Sequence, residues 1–225
     1  MLRSFAAFIA LAVLAMSDAQ AAGRYLALGD SYTIGEGVAP EGRWPVQLAA
    51  RLRADGVAID DPQIIATTGW TTDELSVAMD AATFSPPYAL VTLLIGVNNQ
   101  YRGRDLENYR EEFTALLTRA IAFAGGRESR VIVVSIPDWA VTRFARAKNR
   151  DAELIASEID RFNAAARKIA AQHRVAFVDV TPASREAGDG NAMLVADGLH
   201  PSAAQYAMWT DAIVPAAMQA LASPK

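Results

Sequence analysis

The stretch Ala89-Leu90-Val91-Thr92-Leu93-Leu94-Ile95, which runs directly into Gly96-Val97-Asn98-Asn99, decides the fold of this chain. It is almost continuously apolar, and it ends in a glycine followed by two polar amides. Short apolar runs of this kind are typical of strands that are buried on both faces of a parallel sheet. We therefore predict a central parallel strand over residues 89–95, with polar side chains at its carboxyl end.

Four more short apolar runs predict further strands, at residues 24–28, 63–66, 131–136 and 175–180. Helical spacing and helix start and stop signals lie between them, at 45–53, 71–79, 106–124, 151–171 and 203–221. The intervening stretches 32–42, 138–150 and 181–200 are predicted as loops. Strands that alternate with helices form one parallel sheet covered on both faces. The smallest such fold is a three-layer α/β/α, flavodoxin-like fold with a five-stranded parallel sheet in the order 2-1-3-4-5.

The composition excludes several classes of function. The chain has 225 residues, 52% of them hydrophobic, and a net charge of −4, so it suits one domain with a sizeable core. Without a basic stripe, nucleic acid is not expected as a partner. No cysteine is present, which excludes a cysteine nucleophile, and with two histidines a zinc site would need mostly carboxylate ligands. We predict no metal and no other cofactor.

The N-terminus has the pattern of a secretory signal peptide. A short positive start at Arg3 precedes the uncharged apolar run 5–16, and Ala19-Gln20-Ala21 supplies small residues before a cleavage site. The alternative is a buried N-terminal helix. We predict a signal peptide over 1–21, one mature domain over 22–225, and a periplasmic or secreted protein with no later membrane-spanning segment.

Polar residues of several kinds follow the predicted strands at one edge of the sheet. Ser31 comes after the first strand, Gly69 after the second and Asn98 after the third; Asp197 and His200 follow the fifth. Ligands of open α/β sheets bind at this carboxyl edge. Because helix caps and turns alone would scatter over both edges, the clustering favours a site. The other interpretation of the first block is that Asp30 or Ser31 only caps the next helix.

These residue types match the requirements of acyl transfer. Such a reaction needs a nucleophile, a base, a group that holds the base in one tautomer, and donors for the developing oxyanion. Ser31, His200 and Asp197 fit the first three roles. The backbone N–H groups of Ser31 and Gly69 and the side-chain amide of Asn98 fit the fourth. The second histidine, His173, lies at a helix end before the fifth strand, which places it at the opposite edge.

Four sequence blocks resemble those of the SGNH hydrolases, also known as GDSL-type esterases and lipases. In order, they are Gly-Asp-Ser-Tyr-Thr-Ile-Gly at 29–35, Gly69-Trp70-Thr71, Gly96-Val97-Asn98-Asn99 and Asp197-Gly198-Leu199-His200-Pro201. The resemblance implies the flavodoxin-like fold and a metal-independent Ser-His-Asp hydrolase. It assigns Ser31 as nucleophile, Asp197 and His200 as the other triad members, and Gly69 and Asn98 as oxyanion donors. Tyr32 replaces the leucine of the GDSL name, and Asn99 replaces an aspartate, so the ordering of Asn98 is open.

Three functions remain open from the sequence. The first is a serine esterase acting on a small-molecule acyl ester or thioester. The second is a carbohydrate acetylesterase with the same triad, and the third is a non-catalytic envelope binding module. Trp70, Tyr101 and Trp139 lie near the predicted rim and could line an acyl cleft or simply pack the loops. The basic residues of 143–150 could meet an anionic headgroup or form a solvated loop. The sequence does not indicate an oligomeric state.

Overall fold

The predicted strand order 2-1-3-4-5 is confirmed by the computed structural model, which describes residues 22–222. The predicted signal peptide, 1–21, lies outside the described residues. All neighbouring strands pair in parallel. The strands are β1 (Tyr25–Gly29), β2 (Gln63–Ala66), β3 (Leu90–Leu94), β4 (Val131–Val134) and β5 (Ala176–Val178). Every residue of β3 is buried, as its apolar sequence predicts.

Long helices cover both faces of this sheet. They are α2 (Trp44–Ala54), α3 (Thr72–Ala81), α5 (Leu106–Phe123), α7 (Ala152–Gln172) and α9 (Ala203–Ala222). α2 packs against α9 in one layer, and α5 packs against both α3 and α7 in the other. The predicted start signals are present, because Glu74 Oε2 accepts the N–H of Thr71 at 2.9 Å, and Asp105 and Asp151 cap α5 and α7.

Four short helices occupy stretches where the sequence predicts no helix. Three of them lie in predicted loops, and the fourth lies at the end of the third predicted strand. They are α1 (Ser31–Ile34), α4 (Val97–Tyr101), α6 (Arg143–Ala147) and α8 (Thr181–Ala187). The loop predictions are wrong at these positions. A helix of one or two turns contains too few residues to show the 3.6-residue period of longer helices, and it depends on caps and tertiary contacts for its stability.

The predicted fourth strand is shorter than expected at its carboxyl end. The N–H of Ile136 donates to Asn163 Oδ1 of α7 at 2.8 Å, and its carbonyl accepts from Asn163 Nδ2 at 2.9 Å. The Asn163 side chain thus bonds both the N–H and the carbonyl of Ile136, in place of a neighbouring strand. None of the helices within residues 22–222 is long and apolar enough to cross a bilayer.

Candidate active site

Three of the predicted site residues lie directly beyond the ends of neighbouring strands. Gly29, the last residue of β1, pairs in register with Ala66 at the end of β2 and with Leu94 at the end of β3. Ser31, Gly69 and Asn98 therefore emerge side by side at the carboxyl edge. Parallel strands produce this juxtaposition because their ends are aligned.

Ser31 is the first residue of α1, and Asp30 is its N-cap. Asp30 Oδ1 accepts the N–H of Tyr32 at 3.0 Å, so the capping interpretation of Asp30 is confirmed. The first backbone N–H groups of a helix have no acceptor within the helix, which leaves the N–H of Ser31 available to a ligand. Burial raises the pKa of the Asp30 carboxyl to about 7, against the lowering effect of hydrogen bonds such as that from Tyr32.

Gly69 lies in a tight turn that its neighbours hold in place. The N–H of Trp70 donates to Thr67 O at 3.3 Å, and Gly69 has a φ of 90°. A positive φ at the third position of such a turn favours glycine, because it has no Cβ to clash with the backbone. Arg102 Nη2 donates to Gly69 O at 2.6 Å and Arg102 Nη1 donates to Glu74 at 3.1 Å. This arginine links the turn to α3.

Two hydrogen-bonded amides hold the third block. Asn98 Nδ2 donates to Trp70 O at 2.9 Å, which fixes the amide plane and leaves the second Nδ2 hydrogen free for another acceptor. Asn99 is fully buried, accepts the Thr72 N–H at 3.1 Å and donates to Thr72 Oγ1 at 2.7 Å. Asn99 thus anchors α4 to the start of α3, which answers the question of how Asn98 is ordered without an aspartate at position 99.

Asp197 and His200 form the predicted pair. His200 Nδ1 lies 2.6 Å from Asp197 Oδ2, and Asp197 Oδ1 accepts the N–H groups of Leu199 and His200 at 2.8 and 3.0 Å. Partial burial raises the pKa of the Asp197 carboxyl, but hydrogen bonds from the His200 ring and from these backbone groups outweigh it and lower the pKa below its ordinary value. The carboxylate thus remains charged where it holds the imidazole in one tautomer.

Tyr32 packs against the imidazole of His200. Its ring centroid lies 5.8 Å from that of His200 in an edge-on arrangement and 5.9 Å from that of Trp209 of α9. Such contacts between aromatic rings fix ring orientation. The tyrosine that replaces leucine in the first block is therefore part of the packing of the site.

The predicted site residues surround one cleft of about 200 Å³. Its lining residues are Ser31, Tyr32, Thr68, Gly69, Val97, Asn98, Tyr101, Trp139, Phe144, Leu199 and His200. Asp197 reaches the cleft through His200. No hydrogen bond joins Ser31 Oγ to His200 Nε2 in the structure; such bonds are often long in free enzymes and shorten when substrate binds.

The predicted aromatic wall is only partly correct. Tyr101 and Trp139 line the cleft, whereas Trp70 faces a shallow surface beside Val77 of α3. Phe144 and Leu199 were not singled out from the sequence. Phe144 lies on the short helix α6, which the sequence does not predict. Leu199 could have been predicted as a cleft residue only from its position inside the last sequence block.

Trp139 is held by a buried polar chain that the sequence does not reveal. Its Nε1 donates to Gln100 Oε1 at 2.9 Å, and Gln100 Nε2 donates to Glu158 Oε2 of α7 at 2.7 Å. Gln100 and Asn98 belong to the same short helix, so one element positions both a polar and an aromatic part of the cleft.

His173 is confirmed at the other edge of the sheet. It caps the carboxyl end of α7, and its N–H donates to carbonyls of that helix. β5 starts three residues later at Ala176, so His173 lies at the amino end of a parallel strand. It takes no part in the cleft.

The doubly wound parallel sheet, with a cleft at its carboxyl edge, places this protein in the α/β class. The chain belongs to the GDSL-like Lipase/Acylhydrolase family, whose profile matches residues 27–208. This range contains all five predicted site residues. The family resemblance seen in the sequence blocks is thereby confirmed.

Solved structures of other proteins share this fold. TesA is 20% identical with a TM-score of 0.69, over 88% of this chain and 99% of that chain. The psychrotrophic esterase EstA from Pseudoalteromonas sp., in a structure inhibited by monoethylphosphonate, is 16% identical with a TM-score of 0.68, over 89% and 100%. A mutant of Axe2, an acetyl-xylooligosaccharide esterase from Geobacillus Stearmophilus, is 19% identical with a TM-score of 0.64, over 91% and 96%. Among curated proteins, none matches the sequence significantly.

Proposed function

We propose that this protein is a serine esterase that hydrolyses acyl esters through Ser31, His200 and Asp197. The observation that carries the proposal is the 2.6 Å contact between His200 Nδ1 and Asp197 Oδ2 at a cleft that also contains Ser31. Asp197 holds the proton of the imidazole on Nδ1, which leaves Nε2 as the base on the cleft side.

The reaction proceeds in two halves. Ser31 Oγ attacks the ester carbonyl while His200 Nε2 takes the hydroxyl proton, and collapse of the tetrahedral intermediate returns that proton to the leaving alcohol. Water then attacks the acyl-serine as His200 Nε2 takes its proton, and collapse of the second tetrahedral intermediate returns that proton to Ser31 Oγ and releases the carboxylic acid. The two half-reactions require no cofactor, and we assign none.

The negative oxygen of each tetrahedral intermediate is bound by three donors. They are the N–H of Ser31, the N–H of Gly69 and the second hydrogen of Asn98 Nδ2. Neighbouring residues hold each of these donors in position. Asp30 caps α1, Arg102 binds the Gly69 turn, and Trp70 O accepts a hydrogen bond from the Asn98 amide. Donors fixed in advance stabilise a developing charge without reorganisation.

Asn98→Ala should lower kcat by roughly a hundred- to a thousandfold, which is the usual loss for one oxyanion donor. The KM should change far less, because the donor acts on the charge that develops after binding. Asn108→Ala, which truncates the same residue type on the exposed face of α5, is the matched control and should keep wild-type kinetics. Steady-state kinetics on para-nitrophenyl acetate test this prediction. A defect confined to KM would refute the role of Asn98 as an oxyanion donor.

The lining of the cleft favours an acyl chain over a sugar. Val97, Phe144 and Leu199 contribute apolar surface next to the rings of Tyr101 and Trp139. Burying one methylene group contributes about 0.8 kcal/mol. Because this corresponds to about fourfold in kcat/KM, each methylene that enters the cleft should raise the rate by up to that factor.

Rates on para-nitrophenyl esters from acetate to dodecanoate, measured beside acetylated xylan, test this substrate class. We expect kcat/KM to rise from acetate to a medium chain and then to level off when the chain leaves the cleft. A maximum at acetate together with faster release from acetylated xylan would favour the carbohydrate acetylesterase. No hydrolysis of any ester would favour the binding module.

We further propose that the esterase acts in the periplasm or outside the cell. The charge and hydropathy pattern of residues 1–21 supports this location. Mass spectrometry of the mature protein from the cell envelope should find its N-terminus at Ala22 or Gly23. A cytoplasmic protein that keeps Met1 would contradict the proposal.

A further inference from the structure

The cleft has a cationic rim that the proposed reaction does not use. The segment 143–150 contains four basic residues and no acidic one, in a chain whose net charge is −4. The four are Arg143, Arg146, Lys148 and Arg150. Of these, Arg146 is neutralised by an ion pair with Asp189. The other three have no carboxylate within ion-pair distance among residues 22–222.

Each of the three unpaired cations rests on a group that belongs to the cleft or to the loop of His200. The Lys148 ammonium lies 5.7 Å from the centroid of the Phe144 ring. The Arg143 side chain packs against Gly198, and the N–H of Phe144 donates to Gly198 O at 3.0 Å. The positive charge thus lies at the mouth of the cleft.

Arg150 has the most defined position of the three. Its guanidinium carbon lies 5.4 Å from the ring centroid of Tyr101 and 5.4 Å from that of Trp139. The two rings are themselves 5.4 Å apart and are inclined at 62°. Since Gln100 holds Trp139 in place, the guanidinium rests on an ordered aromatic support.

This position leaves the hydrogen-bond donors of Arg150 available. A cation over an aromatic ring is attracted to the ring face without using its N–H donors. No hydrogen bond from the Arg150 side chain to residues 22–222 occurs. A planar fork of this kind matches a carboxylate or a phosphate. Asp151, the next residue in the chain, caps α7, and Asp189 pairs with Arg146.

The side of the cleft formed by the loop after β2 carries a carboxylate. In the sheet order, β1 and β3 lie between β2 and β4, whose following loop holds Trp139. Thr68, which lines the cleft, donates its hydroxyl to the Glu36 carboxylate. An anionic substituent of a bound ester is therefore repelled from the Glu36 side and attracted to the side of Arg150. The opposite charges at the two sides of the cleft therefore favour one orientation of a bound anionic ester.

We propose that Arg150 is an anion-binding residue that selects esters bearing a carboxylate or phosphate group outside the scissile bond. The inference rests on the proposed esterase activity and adds a substrate class to it. Lys148 and Arg143 strengthen the local positive potential, and the Arg150 fork makes the direct contact.

Matched pairs of esters test this inference. In the first pair, meta-acetoxybenzoate and its methyl ester, the charged member carries its carboxylate on the alcohol part. In the second pair, mono-para-nitrophenyl adipate and para-nitrophenyl hexanoate, the charged member carries its carboxylate on the acyl chain. Meta-acetoxyphenyl phosphate separates phosphate from carboxylate binding. Rates are corrected for hydrolysis without enzyme.

For wild-type protein we expect the charged member of at least one pair to have the higher kcat/KM. Arg150→Gln should lower the ratio of kcat/KM on the charged member to that on the neutral member about five- to tenfold, the effect of one partly exposed charge-assisted hydrogen bond. Arg150→Lys keeps the charge without the planar fork and should give an intermediate ratio.

Arg161→Gln is the control for net charge. Arg161 is an exposed residue of α7, 11 residues further along the chain, and its loss should leave the ratio at the wild-type value. Normal hydrolysis of every ester with no preference for a charged one, or equal effects of the Arg150 and Arg161 variants, would overturn the inference. Absence of hydrolysis on every ester would instead refute the proposed function.

Discussion

Replacing Ser31 by alanine should abolish ester hydrolysis while the fold is kept. In subtilisin, removal of the nucleophilic serine costs on the order of a millionfold in kcat, and we expect a loss of that size here. Ser31 is the first residue of α1, a helix whose cap is the neighbouring Asp30. The substitution therefore removes one hydroxyl group and leaves the capping hydrogen bond intact.

Three measurements on purified protein check this result. Turnover of para-nitrophenyl acetate reports activity, circular dichroism reports the fold, and mass spectrometry after reaction with a para-nitrophenyl phosphonate reports the attacked residue. Wild-type protein should gain the phosphonyl mass on Ser31, and Ser31→Ala should gain none. Ser157→Ala, an exposed position on α7, is the matched control. A Ser31→Ala protein with more than a few per cent of wild-type turnover would exclude Ser31 as the nucleophile.

Replacing His200 by glutamine should cause a loss of similar size, because nucleophile and base act as one unit. The second effect concerns pH. Wild-type kcat/KM should rise with pH, since the general base must be neutral to accept the serine proton. Asp197 stays ionised throughout, because its hydrogen bonds lower the pKa of its carboxyl. In His200→Gln the residual rate should lack this rising limb.

His173→Gln is the matched control, since it changes the chain's other histidine in the same way. We expect wild-type kinetics and at most a small loss of stability, because His173 caps α7 through its backbone N–H, which the substitution keeps. Profiles of kcat/KM against pH for the wild type and both variants give the answer. An inactive His173→Gln with an active His200→Gln would show that the assignment of the base is wrong.

The sequence by itself determined the strand order and the identity of the five candidate residues. The apolar runs are short and separated by helical periods, and this alternation leaves one parallel sheet as the arrangement that buries them. The residues at the strand ends follow from that topology, since parallel strands bring their carboxyl ends to one edge. Ser31, Gly69, Asn98 and His200 could therefore be placed around one cleft from the chain alone.

The tertiary structure alone decided how these residues are oriented and what surrounds them. The hydrogen bond from Asn98 to Trp70, the support of Gly69 by Arg102, and the contact of Tyr32 with His200 and Trp209 join residues far apart in the chain. Such contacts depend on distances in space, and no local pattern encodes them. For the same reason the sequence could not show that Trp70, although it lies beside the cleft, does not line it. The short helix α6 is stabilised by caps and packing. It places Phe144 and the start of the cationic rim at the mouth of the cleft.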